Sequence, residues 1–346
     1  MRPPILLKLM IQLGSICASA AVIADQTRLP PAQTAWNTPD IQGVWDFRTL
    51  TPLERPIEFG DKAILTREEA QALLNKIAPP DQVDEPTGVA KEDVEGYNAF
   101  WLDAGENLDK EMRTSLITDP PNGRLPNVLP EANAARLAQN KQRSAPVRDV
   151  LSYSVGPDYR HDHPETLGLS ERCLLGFNAG PPIMPSAYNN NLRIVQTPKY
   201  VMLMTEMVHD ARIIPTDGRP HLPAGIDQWN GSSRGRWEGE TLVVETRNFS
   251  DKTPAFHLPI QPANADVNGV LGSGNDLHLV ERFTPLGEGE LAYEATVSAP
   301  KSFAQPFTFR VLMSASSDKI FEYACHEGNY AMGGILRGAR LQEREE

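Results

Sequence analysis

The feature that most constrains this chain is a series of short stretches in its second half in which apolar and polar residues alternate. They lie at 192–196, 200–208, 211–214, 236–237, 241–248, 277–283, 291–298, 307–313 and 320–325. Residues typical of tight turns separate several of them, as at 216–218 and 286–289. Alternation with a period of two indicates β-strands with one buried face, and regular spacing with tight turns predicts an antiparallel meander. Such a meander closes as a barrel or folds as a sandwich.

An earlier stretch at 40–47 predicts a first strand, and its Gly43-x-Trp45 resembles the opening strand of lipocalin-like barrels, where the Trp plugs one end. We therefore predict a mainly β fold, an antiparallel lipocalin-like β-barrel with a few short helices. The chain has 30 prolines, which favour long ordered loops over long helices. We expect residues 40–346 to form a single barrel domain, with 60–170 as a mixed helix and loop region packed on the barrel.

Two helices are predicted within that mixed region. Thr66 and Glu69 have the spacing of a capping box, in which each side chain accepts a hydrogen bond from the other residue's N–H. The helix that follows should end at about Ala78, before two prolines. A second helix is predicted over 130–142, because proline is favoured at the first helical position.

The first 24 residues have the pattern of a signal peptide. Arg2 precedes an apolar run at 5–17, and residues 22–24 allow cleavage before Asp25. Residues 25–39 then form a flexible leader in this interpretation. The run is too short to cross a bilayer, and no later stretch reaches that length. We therefore predict a periplasmic or secreted protein without stable membrane insertion.

Net charge excludes one class of partner and motifs exclude several chemistries. The formal net charge is −12, with no compensating basic cluster, so we predict no binding to nucleic acid. The chain has no phosphate-binding loop and no dinucleotide fingerprint, and we predict no cofactor. His161-x-His163 has metal-ligand spacing but lies in a loop with proline, and we predict no metal site. The oligomeric state stays open.

Cysteine usage predicts a crosslink between the middle and the end of the chain. Removal of the signal peptide removes Cys17 and leaves Cys173 and Cys325. Two cysteines in an oxidising compartment suggest one disulfide. The alternative is a pair of buried free thiols.

Several longer motifs carry a resemblance. They read GVWDFRTLTPLERP, RTSLITDPPNGRLP, ERCLLGFNAGPPIMPSAYNNN, EMVHDARIIPTDGRPH, RGRWEGETLVVETRNF and EYACHEGNYAM. Together they resemble a large family of exported bacterial proteins, most of them uncharacterised, over nearly the whole mature chain. The resemblance implies export and brings no catalytic assignment. The segment 161–165 departs from it, because the family pattern leads us to expect a shorter link there.

The stretch 321–334, which reads FEYACHEGNYAMGG, is the main candidate for a site. It predicts a strand over 321–325, with His326 and Glu327 at the point where the strand ends. Polar side chains at such ends often form sites. The alternative is a strand with a structural cysteine, in which His326 and Glu327 face water.

Other candidates lie where the predicted disulfide would bring the chain together. Asn189 and Asn190 belong to a loop that the disulfide would place beside His326, and their amides can donate to a substrate oxygen or satisfy the loop's own backbone. His209 and Asp210 end an apolar strand. They point to opposite faces and cannot form a dyad unless the strand bulges. His209 with His326 is the more plausible pair, and a His satisfied by backbone is the alternative.

The remaining candidates would bind substrate. Trp229 and Arg234 lie in a polar loop that can stack an aromatic ligand and clamp a carboxylate. Tyr188 and Tyr323, with Trp45, are predicted to line the interior. Arg212 shares a face with Asp210, and its alternative is a cross-strand ion pair on a solvated face.

Two functions follow from these residues. The first is a cofactor-independent lyase or isomerase acting on a small aromatic or hydrophobic molecule. In it His326 or His209 moves a proton and Glu327 or Asp210 orients the imidazole, because histidine is the side chain best suited to proton transfer near neutral pH. The alternative is a periplasmic binding or carrier barrel without catalysis.

Overall fold

Antiparallel strands dominate the fold. The structure, a computed structural model, describes residues 31–77, 103–132, 164–166, 169–170, 172–176, 178–257, 270–327, 329–342 and 344. The strands are β1 Gly43–Asp46, β2 Ile117–Asp119, β3 Asn191–Gln196, β4 Tyr200–Thr205, β5 Ala211–Pro215, β6 Ser232–Glu238, β7 Thr241–Arg247, β8 Phe256–His257, β9 Val270–Leu271, β10 His278–Gly287, β11 Glu290–Ser298 and β12 Phe307–Ser316. The helices with defined bounds are α1 Arg67–Ile77 and α2 Tyr330–Gln342. Short 3-10 turns include Ile57–Phe59, Met207–His209 and Gly274–Asp276.

Within the described residues ten strands form one antiparallel sheet, which confirms the mainly β prediction. The order is β5-β4-β3-β1-β12-β11-β10-β7-β6, and β2 pairs with β12 beside this path. Strands β8 and β9 form a separate pair. No ladder of hydrogen bonds joins β5 to β6 in this part of the chain, so the sheet is open between its two edge strands.

The two edge strands nevertheless lie close together. A Cβ atom added to Gly235 of β6 would lie 3.0 Å from the Cγ2 atoms of both Ile214, in β5, and Thr216. The sheet therefore curls until its first and last strands face each other across a contact of side chains.

The inner face of the curled sheet is filled. Phe47, Phe283, Phe307 and Phe309 are fully buried, and Trp45 is 7% exposed. Burying each such side chain contributes about 1.5–3 kcal/mol. These buried aromatic side chains belong to the main hydrophobic core of the sheet.

Helix α1 begins as predicted. Thr66 N–H donates to Glu69 Oε2 (2.8 Å) and Glu69 N–H donates to Thr66 Oγ1 (3.2 Å), which forms the capping box. Leu73 and Ile77 are buried in a small cluster beside the sheet. The predicted end at Ala78 lies outside the described residues, as does most of 130–142, of which residues 130–132 are helical.

The structure corrects two boundaries. Strand β4 ends at Thr205 instead of residue 208, because Met207–His209 forms a 3-10 turn. The predicted strand over 320–325 is wrong. Phe321 is 72% exposed, and its N–H donates to the Glu206 carboxylate (3.1 Å) instead of to a neighbouring strand. Helix α2, which follows, was not predicted because its glycines resemble turn residues.

The predicted signal peptide and residues 25–30 of the predicted leader lie outside the described residues. The described residues, all of them from residue 31 onward, belong to one compact unit. Among the residues that the structure describes, no helix is long and apolar enough to cross a bilayer.

Candidate functional site

A disulfide holds the C-terminal segment against the sheet. Cys173 and Cys325 are bonded across 152 positions of sequence, with their Cα atoms 5.8 Å apart, and this confirms the predicted pair. Closing so long a loop stabilises the fold by up to about 5 kcal/mol in the chain-entropy account. The crosslink brings residues 321–325 to the end of β4.

Two hydrogen bonds hold the same segment to the turn after β4. The Glu206 carboxylate accepts from Phe321 N–H (3.1 Å) and from Asn191 Nδ2 (2.6 Å). His209 Nδ1 lies 2.9 Å from the Tyr323 carbonyl oxygen. Glu206 is only 4% exposed, so its two donors replace the water that this carboxylate loses on burial.

Around these contacts lies a small apolar group, which we call the rim cluster. It consists of Ala179, Met207 and Val208, with Tyr188, Tyr323 and Cys325 packed against them. It is separate from the main core, so the prediction that Tyr188 and Tyr323 line the interior is wrong. Trp45, by contrast, belongs to the main core.

Backbone strain is concentrated beside the rim cluster. Val208 has φ 60° and His209 has φ 43°, both in the left-handed region. This conformation costs about 1–2 kcal/mol for a residue with a side chain, and a β-branched residue such as valine adopts it rarely. Cys173 (φ 56°) and Asn189 (φ 54°) share it nearby. Strain of this kind persists where surrounding contacts impose it and is found at functional sites.

His209 is held in one tautomer. A carbonyl oxygen only accepts hydrogen bonds, so the Nδ1 atom that faces the Tyr323 carbonyl must carry the proton. In the neutral ring Nε2 is then the basic nitrogen. His209 is exposed, so a molecule at the rim can reach that atom. This is the arrangement that orients an imidazole as a general base.

Asp210 does not assist His209. Its carboxylate accepts a hydrogen bond from Asn230 Nδ2, which comes from the start of the β6 region. No hydrogen bond joins His209 to Asp210 or to His326, all of them described residues, so the pair of His209 with His326 that was proposed from sequence is not hydrogen-bonded here. The Asn230 Oδ1 atom is buried and has no partner among the described residues. Such an acceptor costs about 1–3 kcal/mol.

A cleft begins at Asn230. Its walls come from 175–176, 180–182, Met184, Asn230 and 253–256, and the cleft is partly open to solvent. A Cβ atom added to Gly176 would lie 2.4 Å from Met207 Cγ, so the cleft wall contacts the strained turn directly. The cleft wall therefore packs against the turn that carries His209.

The asparagine loop has a structural role at one of its positions. Asn190 is fully buried, and its amide donates to the Asp103 and Ser186 carbonyls (2.9 and 2.8 Å) while it accepts from Ser186 N–H (2.8 Å). All its polar atoms are used within the protein, so Asn190 satisfies the loop's backbone. The Asn189 carbonyl accepts from the buried Asn178 amide (3.3 Å).

The other predicted site residues, where described, form no hydrogen bond with His209. His326 and Glu327 are exposed on the turn that follows Cys325. Arg234 donates to the Pro220 and Ser233 carbonyls, both at 2.7 Å, and holds its own loop. The Trp229 carbonyl accepts from the Thr253 hydroxyl (2.9 Å), which joins that loop to the cleft wall.

Arg212 forms a buried network that the sequence argument placed on the surface. Its guanidinium donates to both carboxylate oxygens of Glu281, at 2.8 and 2.9 Å. The Tyr293 hydroxyl donates to Glu281 (2.9 Å) and accepts from Ile183 N–H (2.9 Å). The expectation of a solvated ion pair is therefore wrong for Arg212. Ile183 follows the prolines of the cleft wall, so the network anchors that wall from inside the sheet.

Charge and burial fix the protonation of two network members. Burial by itself lowers the pKa of Arg212, but the Glu281 charge and its hydrogen bonds outweigh this and raise the pKa. Burial, reinforced by the Glu281 charge, raises the pKa of Tyr293 well above its usual value. Arg212 therefore stays charged and Tyr293 stays a hydrogen-bond donor.

We compared the chain with protein-family models and with curated proteins. No protein-family model matches the chain, and no curated protein matches it. The residues with metal-ligand spacing, His161 and His163, lie outside the described residues. The function is therefore inferred from the geometry of the rim cluster and of the cleft beside it.

Proposed function

We propose that this protein is an exported, cofactor-independent enzyme, a lyase or isomerase, that transfers a proton with His209. The observation that carries the proposal is the hydrogen bond from His209 Nδ1–H to the Tyr323 carbonyl (2.9 Å), which leaves Nε2 as an accessible base. The strained backbone at Val208 and His209 supports it. Of the two histidines proposed from sequence, His209 is favoured because its ring is held.

In this function the neighbouring cleft binds a small aromatic or hydrophobic substrate. Its walls supply proline, leucine, methionine and phenylalanine side chains. Nε2 of His209 accepts a proton from the substrate and returns it at another atom or to a leaving group. The Cys173–Cys325 disulfide and Glu206 position the imidazole by holding the segment that carries the Tyr323 carbonyl.

The variant His209→Asn tests the proton transfer. Asparagine tolerates positive φ and can place its amide N–H near the position of Nδ1, so it keeps the fold and removes only the base. Because the substrate is unidentified, the wild type is incubated with a small-molecule extract of bacterial periplasm, and masses that fall or appear are recorded. Loss of a general base usually lowers the rate about 10²–10⁴-fold.

A matched control is His221→Asn. His221 also points Nδ1 at a backbone carbonyl, that of Ser232 (2.9 Å), but it lies outside the rim cluster. We expect this variant to convert the same masses as the wild type. The proposal fails if His209→Asn, correctly folded, converts them at the wild-type rate.

A second candidate is a periplasmic binding or carrier protein. The observation that favours it is the lining of the cleft, in which no residue among those at the walls is ionisable. A smooth apolar pocket suits binding without chemistry. If the wild type converts no mass in the extract, while native mass spectrometry finds a small molecule retained on it, this candidate replaces the enzyme.

We also propose that the curled sheet is a lipocalin-like barrel in solution. The contact of Gly235 with Ile214 and Thr216 supports closure between β5 and β6. Hydrogen exchange measures this, since amides of a closed barrel are protected along both strands. Rapid exchange along the facing edges of both strands would show that the sheet stays open.

Export and the family resemblance stay predictions. The disulfide is compatible with an oxidising compartment. When the full chain is expressed in a Gram-negative host, we expect the protein in the periplasmic fraction with Asp25 at its N-terminus. An uncleaved chain in the cytoplasm would contradict export.

A further inference from the structure

One side-chain acceptor in the cleft wall, Asn230 Oδ1, has no hydrogen-bond partner among the residues that the structure describes. The Asp210 carboxylate only accepts, so it orients the Asn230 amide with its NH₂ group toward Asp210. This orientation turns Asn230 Oδ1 away from Asp210. Oδ1 is buried and without a hydrogen-bond partner among the described residues, and Asn230 belongs to the cleft wall.

The cleft walls beside this acceptor are mostly apolar and carry no positive charge. Pro181, Met184 and Phe256 belong to the same walls, and no lining residue is a lysine, arginine or histidine. The other polar side chain there, Thr253, already donates its hydroxyl proton to the Trp229 carbonyl (2.9 Å). A ligand that completes the site must therefore bring a donor, and an anionic group on it would find no counter-charge.

We propose that the cleft binds a small, uncharged, predominantly apolar molecule with one hydroxyl or N–H group, which donates to Asn230 Oδ1. A phenol is the simplest representative of this class. The inference rests on the proposed function, because it names the class of substrate that the cleft beside His209 would bind. The ligand class can still be tested without any turnover.

Three probes that share one ring separate the possibilities. p-Cresol carries a hydroxyl donor, 4-methylanisole carries an ether oxygen without a donor, and 4-methylbenzoate carries a negative charge. Binding of each to the full mature protein is measured by titration calorimetry. We expect p-cresol to bind about tenfold more tightly than 4-methylanisole, as one added hydrogen bond to an unpaired acceptor allows, and 4-methylbenzoate to bind most weakly.

The variant Asn230→Leu removes the acceptor, so p-cresol and 4-methylanisole should then bind equally. The control Asn75→Leu makes the same substitution on the exposed side of α1 and should keep the tenfold preference. If Asn230→Leu does not fold, the side-chain amide signal of Asn230 in wild-type protein is followed by ¹⁵N NMR. It should shift with p-cresol and not with 4-methylanisole.

Equal binding of the two uncharged probes by the wild type overturns the inference, and so does a preference that survives in folded Asn230→Leu. His209→Asn keeps the two proposals distinguishable, because it should bind p-cresol like the wild type. If the preference is found but turnover does not depend on His209, only the enzyme proposal fails. If turnover depends on His209 but the preference is missing, only the ligand class fails.

Discussion

Replacing Glu281 by leucine should cost more stability than replacing Glu281 and Arg212 together. The single variant leaves the Arg212 guanidinium, 8% exposed, without the carboxylate that now holds it through two hydrogen bonds. An uncompensated buried charge costs about 3–5 kcal/mol. The Tyr293 hydroxyl loses its acceptor as well, which adds about 1–3 kcal/mol.

The double variant Arg212→Met with Glu281→Leu removes both charges. Apolar replacement of a buried ion pair is often close to neutral, so the main remaining cost is the unpaired Tyr293 donor, about 1–3 kcal/mol. The double variant should therefore be more stable than Glu281→Leu alone by several kcal/mol. This reversal distinguishes a buried pair from two independent contacts.

Equilibrium unfolding in urea measures these differences, with the disulfide intact and the five tryptophans as reporters. Arg282 and Glu238 supply a matched double-mutant cycle, because Arg282 directly follows Glu281 in the sequence. The Arg282 guanidinium lies 3.0 Å from the Glu238 carboxylate, and these side chains are 39% and 40% exposed. That exposed pair should show a coupling of about 0–1 kcal/mol. If the two cycles give equal coupling, the Arg212–Glu281 pair is not buried and the argument fails.

Three further predictions concern stability. Thr66→Ala removes one half of the capping box and should lower the free energy of unfolding by about 1 kcal/mol, measured in urea, and an unchanged midpoint would contradict the cap. Burial lowers the pKa of His221, so the unfolded chain takes up its proton first as pH falls below about 6.5. The stability of the wild type relative to His221→Asn should therefore decline as pH falls from that value through the folded pKa, and a pH-independent difference would refute this. Replacing Cys325 by serine should lower stability by up to about 5 kcal/mol and make the segment after residue 320 the first site of proteolysis, whereas unchanged resistance would contradict its tethering role.

The strands could be predicted because a half-buried sheet imposes its period on the sequence. Strand β10 alternates buried and partly exposed residues along most of its length, and the prediction placed its start within one residue. The segment 320–325 shows a similar pattern without being a strand. Its backbone is held by the Glu206 carboxylate and a disulfide, and a sequence pattern does not reveal which partner a backbone N–H will find.

The buried ion pair could be predicted in part. Glu281 alternates with Leu279 and Phe283, so the period of β10 already places it on the apolar face. Its partner could not be found in the same way, since Arg212 is paired in the sheet with Leu203 and Glu281 with Ala295 and Val244. The two side chains meet only because the sheet curls, which depends on all of its strands at once.

The candidate site, too, could be predicted from the sequence only in part. The disulfide followed from counting cysteines, and His209 was among the residues proposed from sequence. Its tautomer depends on the Tyr323 carbonyl, which is distant in sequence. Nothing in the sequence indicated that Asn230 Oδ1 would lack a hydrogen-bond partner, because an asparagine in a polar loop next to glycine is typical of a turn.

The position of β1 in the sheet has a consequence for how the chain is made. Strand β1 comes first among the strands in sequence order, yet it pairs on one side with β3 and on the other with β12. A chain that emerges from its N-terminus therefore presents this strand long before either neighbour exists. The sheet can be completed only after Ser316 has emerged, and pairing across such distances in sequence is slow. Until then the apolar side of β1 is an aggregation hazard, and a chaperone that binds the nascent chain would protect it.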